Sequence, residues 1–219
     1  MIDEIMLIDK PSGMTSFGVV ARIRRVLSAQ AGKRTKVGHT GTLDPFATGL
    51  MVVLTGKQTK NASQYSKLDK VYEAEVVLGK ISTTGDPEGE VTAVSNTVPT
   101  RQDVQQALDS FTGQVVQKPP AFSAIKIGGQ RAYKLARAGQ VVDVPERTVT
   151  IYNIELIDYS YPLLKFTAHV SSGTYIRTLA EDIGNKLGTG AYTAALRRIR
   201  VGNFDIKNAQ ALTDLGITN

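Results

Sequence analysis

Apolar residues in this chain recur with period two in some stretches and with helical period in others, and the two kinds never settle into a strand–helix–strand rhythm. That argues against a regular parallel α/β architecture. It points to an α+β fold whose sheet is mixed but mostly antiparallel and is flanked by helices. The clearest strand is 70–78, KVYEAEVVL, where Val71, Glu73, Glu75 and Val77 face one way and Tyr72, Ala74, Val76 and Leu78 the other. Residues 4–9, 50–54, 147–158, 163–171 and 199–204 read as further strands. A helix is expected over 17–29, with Val19, Val20, Ile23, Val26 and Leu27 on one face, Arg22, Arg24 and Arg25 on the other, and Thr15 or Ser16 as its cap. Further helices are expected over 57–67, over 101–110 behind a Thr100–Asp103 capping box, and over 174–187, 191–197 and 208–215. Residues 30–48 read as a long loop rich in Gly and Thr, and loops of that length inside compact domains are functional or disordered.

The chain has no cysteine, and 219 residues can bury a core large enough to need no covalent staple. A disulfide framework, a cysteine zinc site and a thiol nucleophile are all excluded. Two histidines, His39 and His169, make a histidine-rich metal site unexpected. No stretch approaches the roughly 18 apolar residues of a membrane span. The opening MIDEIMLIDKPSG lacks the basic n-region of a signal peptide, and a reducing, cytoplasmic setting is expected. Net charge is +6, and its distribution matters more than its size. Residues 1–60 carry nine basic and four acidic side chains, 61–160 carry ten and twelve, and 161–219 carry seven and four. If the two ends meet, they make one basic face suited to a polyanion; otherwise they are a solvated surface.

Three segments hold groups able to do chemistry. In GHTGTLDPFATG, 38–49, three glycines permit tight turns and close backbone approach around a single carboxylate, Asp44, with His39 nearby. Asp44-Pro45 alone is also plain turn chemistry. In SGTYIR, 172–177, a strand gives way to a helix, where backbone N–H groups can hold an anion and Arg177 can pair with a carboxylate or phosphate; a helix cap with a surface Arg is the simpler reading. In KVYEA, 70–74, Tyr72 suits stacking on a base or a place in the core. There is no G-x-x-x-x-G-K-[ST] and no G-x-S-x-G, and the HTG run lacks the second histidine of a nucleotidyl transferase signature.

Taken together and in order, these segments resemble the TruB family of tRNA pseudouridine synthases, which isomerise uridine-55 in the T-loop. The resemblance runs from near residue 5 to near 204. It is carried by Asp9-Lys10-Pro11 with Gly13-Met14-Thr15-Ser16, by the GHTGTLDPFATG run, and by Lys70-Val71-Tyr72-Glu73-Ala74 with Leu78-Gly79. Pro119-Pro120 with Phe122-Ser123-Ala124, Gln130-Arg131-Ala132-Tyr133, the SGTYIR run and Leu196-Arg197-Arg198 complete it. Two departures stand out. Ser82-Thr83-Thr84 replaces a frequent T-D-T, although Asp86 remains, and no PUA domain is expected within this chain.

The resemblance implies a pseudouridine synthase fold, with 1–219 as a single catalytic domain and 118–140 as a thumb-like insertion that closes over the RNA loop. It implies an isomerase that needs no cofactor and no metal. Asp44 would act as nucleophile at C1′ or as base at C2′, with Arg177 as its counter-charge. Tyr72 would stack on the uracil and help remove the C5 proton. Lys10 would support the Asp44 loop, Leu196 would supply an apolar wall, and Tyr175 would contact substrate. His39 would stack where the flipped base had been, or make a loop hydrogen bond. The expected partner is the T-arm stem-loop of tRNA, with no membrane and no obligatory protein partner, and the protein is expected to be a monomer. The basic runs 22–25, 33–36 and 197–200 are expected to follow phosphates. The rival readings are a noncatalytic RNA-binding or RNA-folding module, which has no use for Asp44 paired with Arg177, and a base-modifying transferase, which needs a cofactor loop.

Overall fold

The structure, a computed structural model, describes residues 3–217. In chain order its elements are β1 (Ile5–Lys10), α1 (Ser16–Gln30), β2 (Val37–His39), β3 (Thr48–Thr55), α2 (Ala62–Ser66), β4 (Lys70–Leu78), β5 (Lys80–Ser82), β6 (Val91–Ala93), α3 (Arg101–Asp109) and β7 (Gly113–Gln117). There follow β8 (Lys126–Ile127), β9 (Gln130–Arg131), α4 (Ala132–Arg137), β10 (Arg147–Ser160), β11 (Leu163–Val170), α5 (Ile176–Lys186), β12 (Ala191–Val201), β13 (Phe204–Asp205) and β14 (Gln210–Ala211). The described residues divide into two compact units, one of residues 3–72 and 196–217, the other of 73–195. The chain passes from one to the other within β4 and within β12.

In the first unit the strands run in the order β14-β1-β3-β12, with β2 also on β3 and β13 also on β12. Strands β1 and β3 are antiparallel, with Ile8 opposite Met51. Strand β14 joins β1 in parallel, and β12 lies parallel to β3 with Arg198 beside Gly49. Leu50, Val52 and Leu54 form one buried cluster with Val201, packed against Ile5, Leu7, Tyr65 and Phe204. Met51 and Val53, on the opposite face of β3, are equally buried. Burial on both faces explains why β3 reads as a continuous apolar run, LMVVL, and not as an alternation. Helix α1 buries Val19, Val20, Ile23 and Leu27, and the Thr15 hydroxyl caps it by accepting from the Gly18 N–H at 3.0 Å.

In the second unit the order is β4-β11-β10-β7. Strand β10 is antiparallel to both neighbours, with Ser160 opposite Leu163 and Thr148 opposite Val116. Leu78, Leu108, Ile151, Leu164, Phe166, Leu179 and Ile183 are among its fully buried apolar side chains of larger size. Thr100 and Asp103 form the expected capping box at α3. Residues 118–140 contain the β8–β9 hairpin and the short basic helix α4. The hairpin turns on Gly128 and Gly129, whose φ angles of 56° and 83° are open to glycine and strained for other residues.

Most ladders are antiparallel, as the sequence predicts. Three local expectations are corrected. Residues 191–197 are not helical and continue with 199–201 as the single strand β12. The polar segment at 57–67 is a 3-10 turn, Gly56–Asn61, followed by the short α2. The terminal helix is a two-residue strand, β14, followed by a 3-10 turn at Leu212–Leu215. Among the described residues no helix is long and apolar enough to cross a membrane.

Candidate active site

Asp44 lies on the segment between β2 and β3, and that segment is held on both sides of it. The buried hydroxyl of Ser16, the first residue of α1, accepts from the Leu43 N–H at 2.8 Å and donates to the Leu43 carbonyl at 2.9 Å. On the other side, the Pro45 carbonyl accepts from the Lys10 ammonium at 3.0 Å and from the Gly13 N–H at 2.9 Å. The Ser12 hydroxyl donates to the Phe46 carbonyl at 2.9 Å. Lys10 is fully buried, and its other donors reach Pro11 and Met14 carbonyls at 2.8 and 2.6 Å. A buried ammonium surrounded by carbonyl oxygens is satisfied as a donor while it ties the β1–α1 turn to the Asp44 segment. Leu43 and Ala47 are buried while Asp44 is half-buried, so the backbone is anchored and the carboxylate is presented from a fixed base.

A third anchor comes from β12. Arg198, 2% exposed, donates from Nε to the Leu50 carbonyl at 2.7 Å, and from its two terminal nitrogens toward the Thr42 and Gly41 carbonyls at 3.4 and 3.2 Å. Backbone shape makes this possible. Gly49 has φ of 103°, and a Cβ there would sit 2.3 Å from the Arg198 carbonyl oxygen. Only glycine lets β3 and β12 approach so closely at the foot of the Asp44 segment. Lys70, at the start of β4, is buried near Arg198. Burial first and the Arg198 charge second pull its ammonium down to about 8, with Asp69 partly opposing them.

The same unit holds four more of the residues singled out from the sequence. Tyr72 is buried on the inward face of β4, two residues from Lys70. Leu196 is buried on β12 on the same face as Arg198, as the two-residue period requires. His39 is half-buried on β2, opposite Val53. Lys10 has been placed above. Of the 197–200 run only Arg198 is buried out of reach of a phosphate; the side chains of Arg197 and Arg200 stay 38% and 42% exposed. Arg198 is buried against carbonyls, Arg197 pairs with both oxygens of Asp9 at 3.1 and 2.7 Å, and Arg200 lies 4.0 Å from Asp69.

Tyr175 and Arg177 belong to the second unit. Gln117, at the end of β7, grips the Tyr175 backbone: its carbonyl oxygen accepts from the Tyr175 N–H at 3.1 Å and its amide donates to the Tyr175 carbonyl at 3.2 Å. The Arg147 guanidinium lies 4.7 Å from the centre of the Tyr175 ring, within the range of a cation–π contact. Arg177, at the second position of α5, is buried. It donates to the Thr84 and Phe122 carbonyls, each at 2.8 Å, and forms an ion pair with the buried Asp86 at 3.2 Å. Asp86 in turn accepts from the Thr84 hydroxyl at 2.6 Å and the Glu88 N–H at 3.0 Å. The guanidinium therefore ties the start of α5 to the 82–90 turn and to the root of the 118–140 segment. Glu181, one turn along α5, is pushed up by burial first, opposed by Arg177 and reinforced by Asp182 and Asp86. Asp182 is pushed up to about 6 by burial.

Gln117 and Arg147 escaped the sequence reading, while Ser16 entered it only as a possible cap and in a motif, and Arg198 only in a motif and a basic run. Each acts through its neighbours, and none carries a signal beyond its place in or beside a motif. Among the described residues no group of three or more His, Cys, Asp or Glu is arranged to hold a metal ion.

Two family models match adjoining stretches of the chain. Residues 24–176 match the TruB family pseudouridylate synthase N-terminal domain, and residues 177–217 match the tRNA pseudouridylate synthase B C-terminal domain. Curated proteins called tRNA pseudouridine synthase B are similar over nearly the whole chain. That of Pseudomonas syringae pv. syringae is 44% identical over 98% of this chain and 68% of its own length, and that of Azoarcus sp. is 45% identical over 98% and 70%. That of Clostridium acetobutylicum is 41% identical over 100% and 74%. Among solved structures, a chain of a Cbf5-Nop10-Gar1 complex superposes with a TM-score of 0.74 at 31% identity, covering 96% of this chain and 52% of that one. This chain thus spans about half the length of that one. The motif order, the mostly antiparallel sheet with its Asp44 segment and the matches in sequence agree, and the chain belongs to the TruB family of pseudouridylate synthases.

Proposed function

We propose that this protein converts a uridine of tRNA to pseudouridine, acting on position 55 of the T-loop. The observation that carries the reading is the anchoring of the Asp44 segment at Leu43, at Pro45 and at Gly41–Thr42, which leaves one carboxylate held from a rigid backbone. Catalysis by positioned groups needs such a base, because a misplacement of about 1 Å can cost about a hundredfold in rate.

The reaction breaks the N1–C1′ bond and joins C5 to C1′. The C5 proton is lost and N1 gains one, so the product is an isomer of the substrate. Asp44 acts at the ribose, on C1′ as nucleophile or on C2′ as base. Arg177 is its counter-charge, with a guanidinium oriented by Asp86, Thr84 and Phe122. Tyr72 stacks on the uracil, which contributes roughly 1–3 kcal/mol, and helps remove the C5 proton. Leu196 walls the base pocket, His39 occupies the place the flipped base leaves, and Tyr175 contacts the substrate. The uridine must leave its stack to react, at a cost of a few kcal/mol. Residues 118–140 close over the RNA loop, and the chain works as one catalytic domain, as a monomer in the cytoplasm, with the T-arm as its recognition unit.

The test is to incubate the purified protein with a tRNA transcript and a T-arm stem-loop and to map pseudouridine by position. Modification at position 55 in both supports the reading. Modification elsewhere overturns the assignment of position, and binding without modification favours an RNA-binding module.

A further inference from the structure

Helix α1 presents a feature that the reaction does not require. Phe17, its second residue, is 68% exposed, although it directly follows the buried Ser16 that holds Leu43 beside Asp44. Seven residues on, and so on the same helix face, the Arg24 guanidinium lies 6.0 Å from the Phe17 ring centre. The surrounding sequence is uniformly cationic: from Lys10 to Leu43 the chain has seven basic residues and no acidic one. Arg25 and the exposed Lys33, Arg34 and Lys36 belong to this stretch.

We propose that Phe17 and Arg24 form a stacking platform for an RNA nucleotide next to the target uridine. The proposal rests on the reading of the protein as acting on RNA. An exposed ring with a cation over it offers a base both an aromatic face and a positive charge, and every base has a face to stack. The acid-free stretch from Lys10 to Leu43 fits the sugar–phosphate chain on either side of that base. The place along the chain fixes which part of the RNA is met. Ser16 touches the residue before Asp44, so Phe17 meets nucleotides flanking the reacting one and not a distant arm. An acidic protein segment would satisfy the charge, but a nucleobase also presents a flat face that matches the ring.

The experiment measures affinity for a T-arm stem-loop at fixed ionic strength for the wild type and for F17A, F17L, F17W and R24Q. Phe17 is exposed and outside the core, so these variants are expected to fold. F17A and F17L should each bind about tenfold more weakly, since Leu keeps apolar area but offers no ring face. R24Q should bind more weakly and with a salt slope reduced by about 1. The chain has no tryptophan, so F17W carries a sole reporter. It should bind as the wild type does, and its fluorescence should be quenched to saturation by the RNA. Binding of F17A within twofold of the wild type, full recovery in F17L, or fluorescence unmoved at saturating RNA would each overturn the platform. If the wild type modifies the stem-loop and F17A binds it equally well, only the platform fails. If the wild type neither binds nor modifies it, the functional reading itself fails.

Discussion

Ser16 and Leu43 are joined by two hydrogen bonds through one hydroxyl, which accepts the Leu43 N–H at 2.8 Å and donates to its carbonyl at 2.9 Å. Twenty-seven residues apart in sequence, they fasten the start of α1 to the backbone next to Asp44. Replacing Ser16 with Ala leaves a buried donor and a buried acceptor unmet, which costs about 1–3 kcal/mol of stability. The account predicts that S16A keeps its RNA affinity while its single-turnover rate falls tenfold to a hundredfold, in line with a misplaced reacting group. A rate within twofold of the wild type would show that Lys10 and Arg198 suffice without it.

Gly49 tests the close approach of β3 and β12. With φ of 103° and the Arg198 carbonyl oxygen 2.3 Å from the site of a Cβ, G49A has to shift two strands apart. A loss of about 2–4 kcal/mol is expected, seen as a fall in Tm of roughly 5–10 °C. The rate should fall too, because Arg198 anchors Gly41 and Thr42.

Arg177 meets two carbonyls and Asp86 with a planar fork that Lys cannot reproduce. R177K should lose at least about a hundredfold in single-turnover rate with little change in RNA affinity. D86A leaves a buried guanidinium without its carboxylate and should destabilise the protein by about 3–5 kcal/mol. Near-normal turnover in R177K would remove Arg177 from the mechanism.

Asp182 gives a pH signature. Burial raises its carboxyl to about 6, above its ordinary 3.8. Its contribution to stability is therefore complete below about pH 3.8 and is lost as pH rises through about 6. Asn at this position keeps the shape and never ionises. D182N should gain stability relative to the wild type between pH 5 and pH 8, read from denaturant midpoints at the two pH values. Glu181 is pushed up by burial first in both proteins; D182N removes only the smaller Asp182 contribution to it, which acts in the same direction as the gain measured. A constant difference between the two proteins would show that the Asp182 carboxylate is solvated.

Sequence legibility followed the kind of force at work. Strand β4 was readable because Tyr72, Ala74 and Val76 alternate with Glu73 and Glu75, and α1 because Val19, Val20, Ile23 and Leu27 repeat at helical spacing. Strand β12 was misread as a helix because its inward face carries polar Thr193 and Arg198, and because inward residues fall at 191, 193, 196 and 198, where an irregular step resembles a helical period. Strand β2 has three residues, too few to show alternation. At the site, the Gly-rich run around Asp44 marked itself by composition. Arg198 did not, since a buried arginine bonded to carbonyls is indistinguishable in sequence from one facing phosphate. Ser16 was read only as a possible cap; Thr15 fills that role and leaves the Ser16 hydroxyl to Leu43.

The central claim is that the carboxylate of Asp44 performs the isomerisation. The direct measurement compares wild type and D44N on a T-arm stem-loop under single-turnover conditions, with pseudouridine at the target position as the readout and RNA affinity measured alongside. The amide keeps the shape of the side chain but can neither attack C1′ nor accept a proton from C2′. The account predicts position-specific pseudouridine with the wild type, and none above background with D44N at an affinity within about threefold of the wild type, equivalent to roughly 0.7 kcal/mol. Measurable turnover by D44N would contradict it.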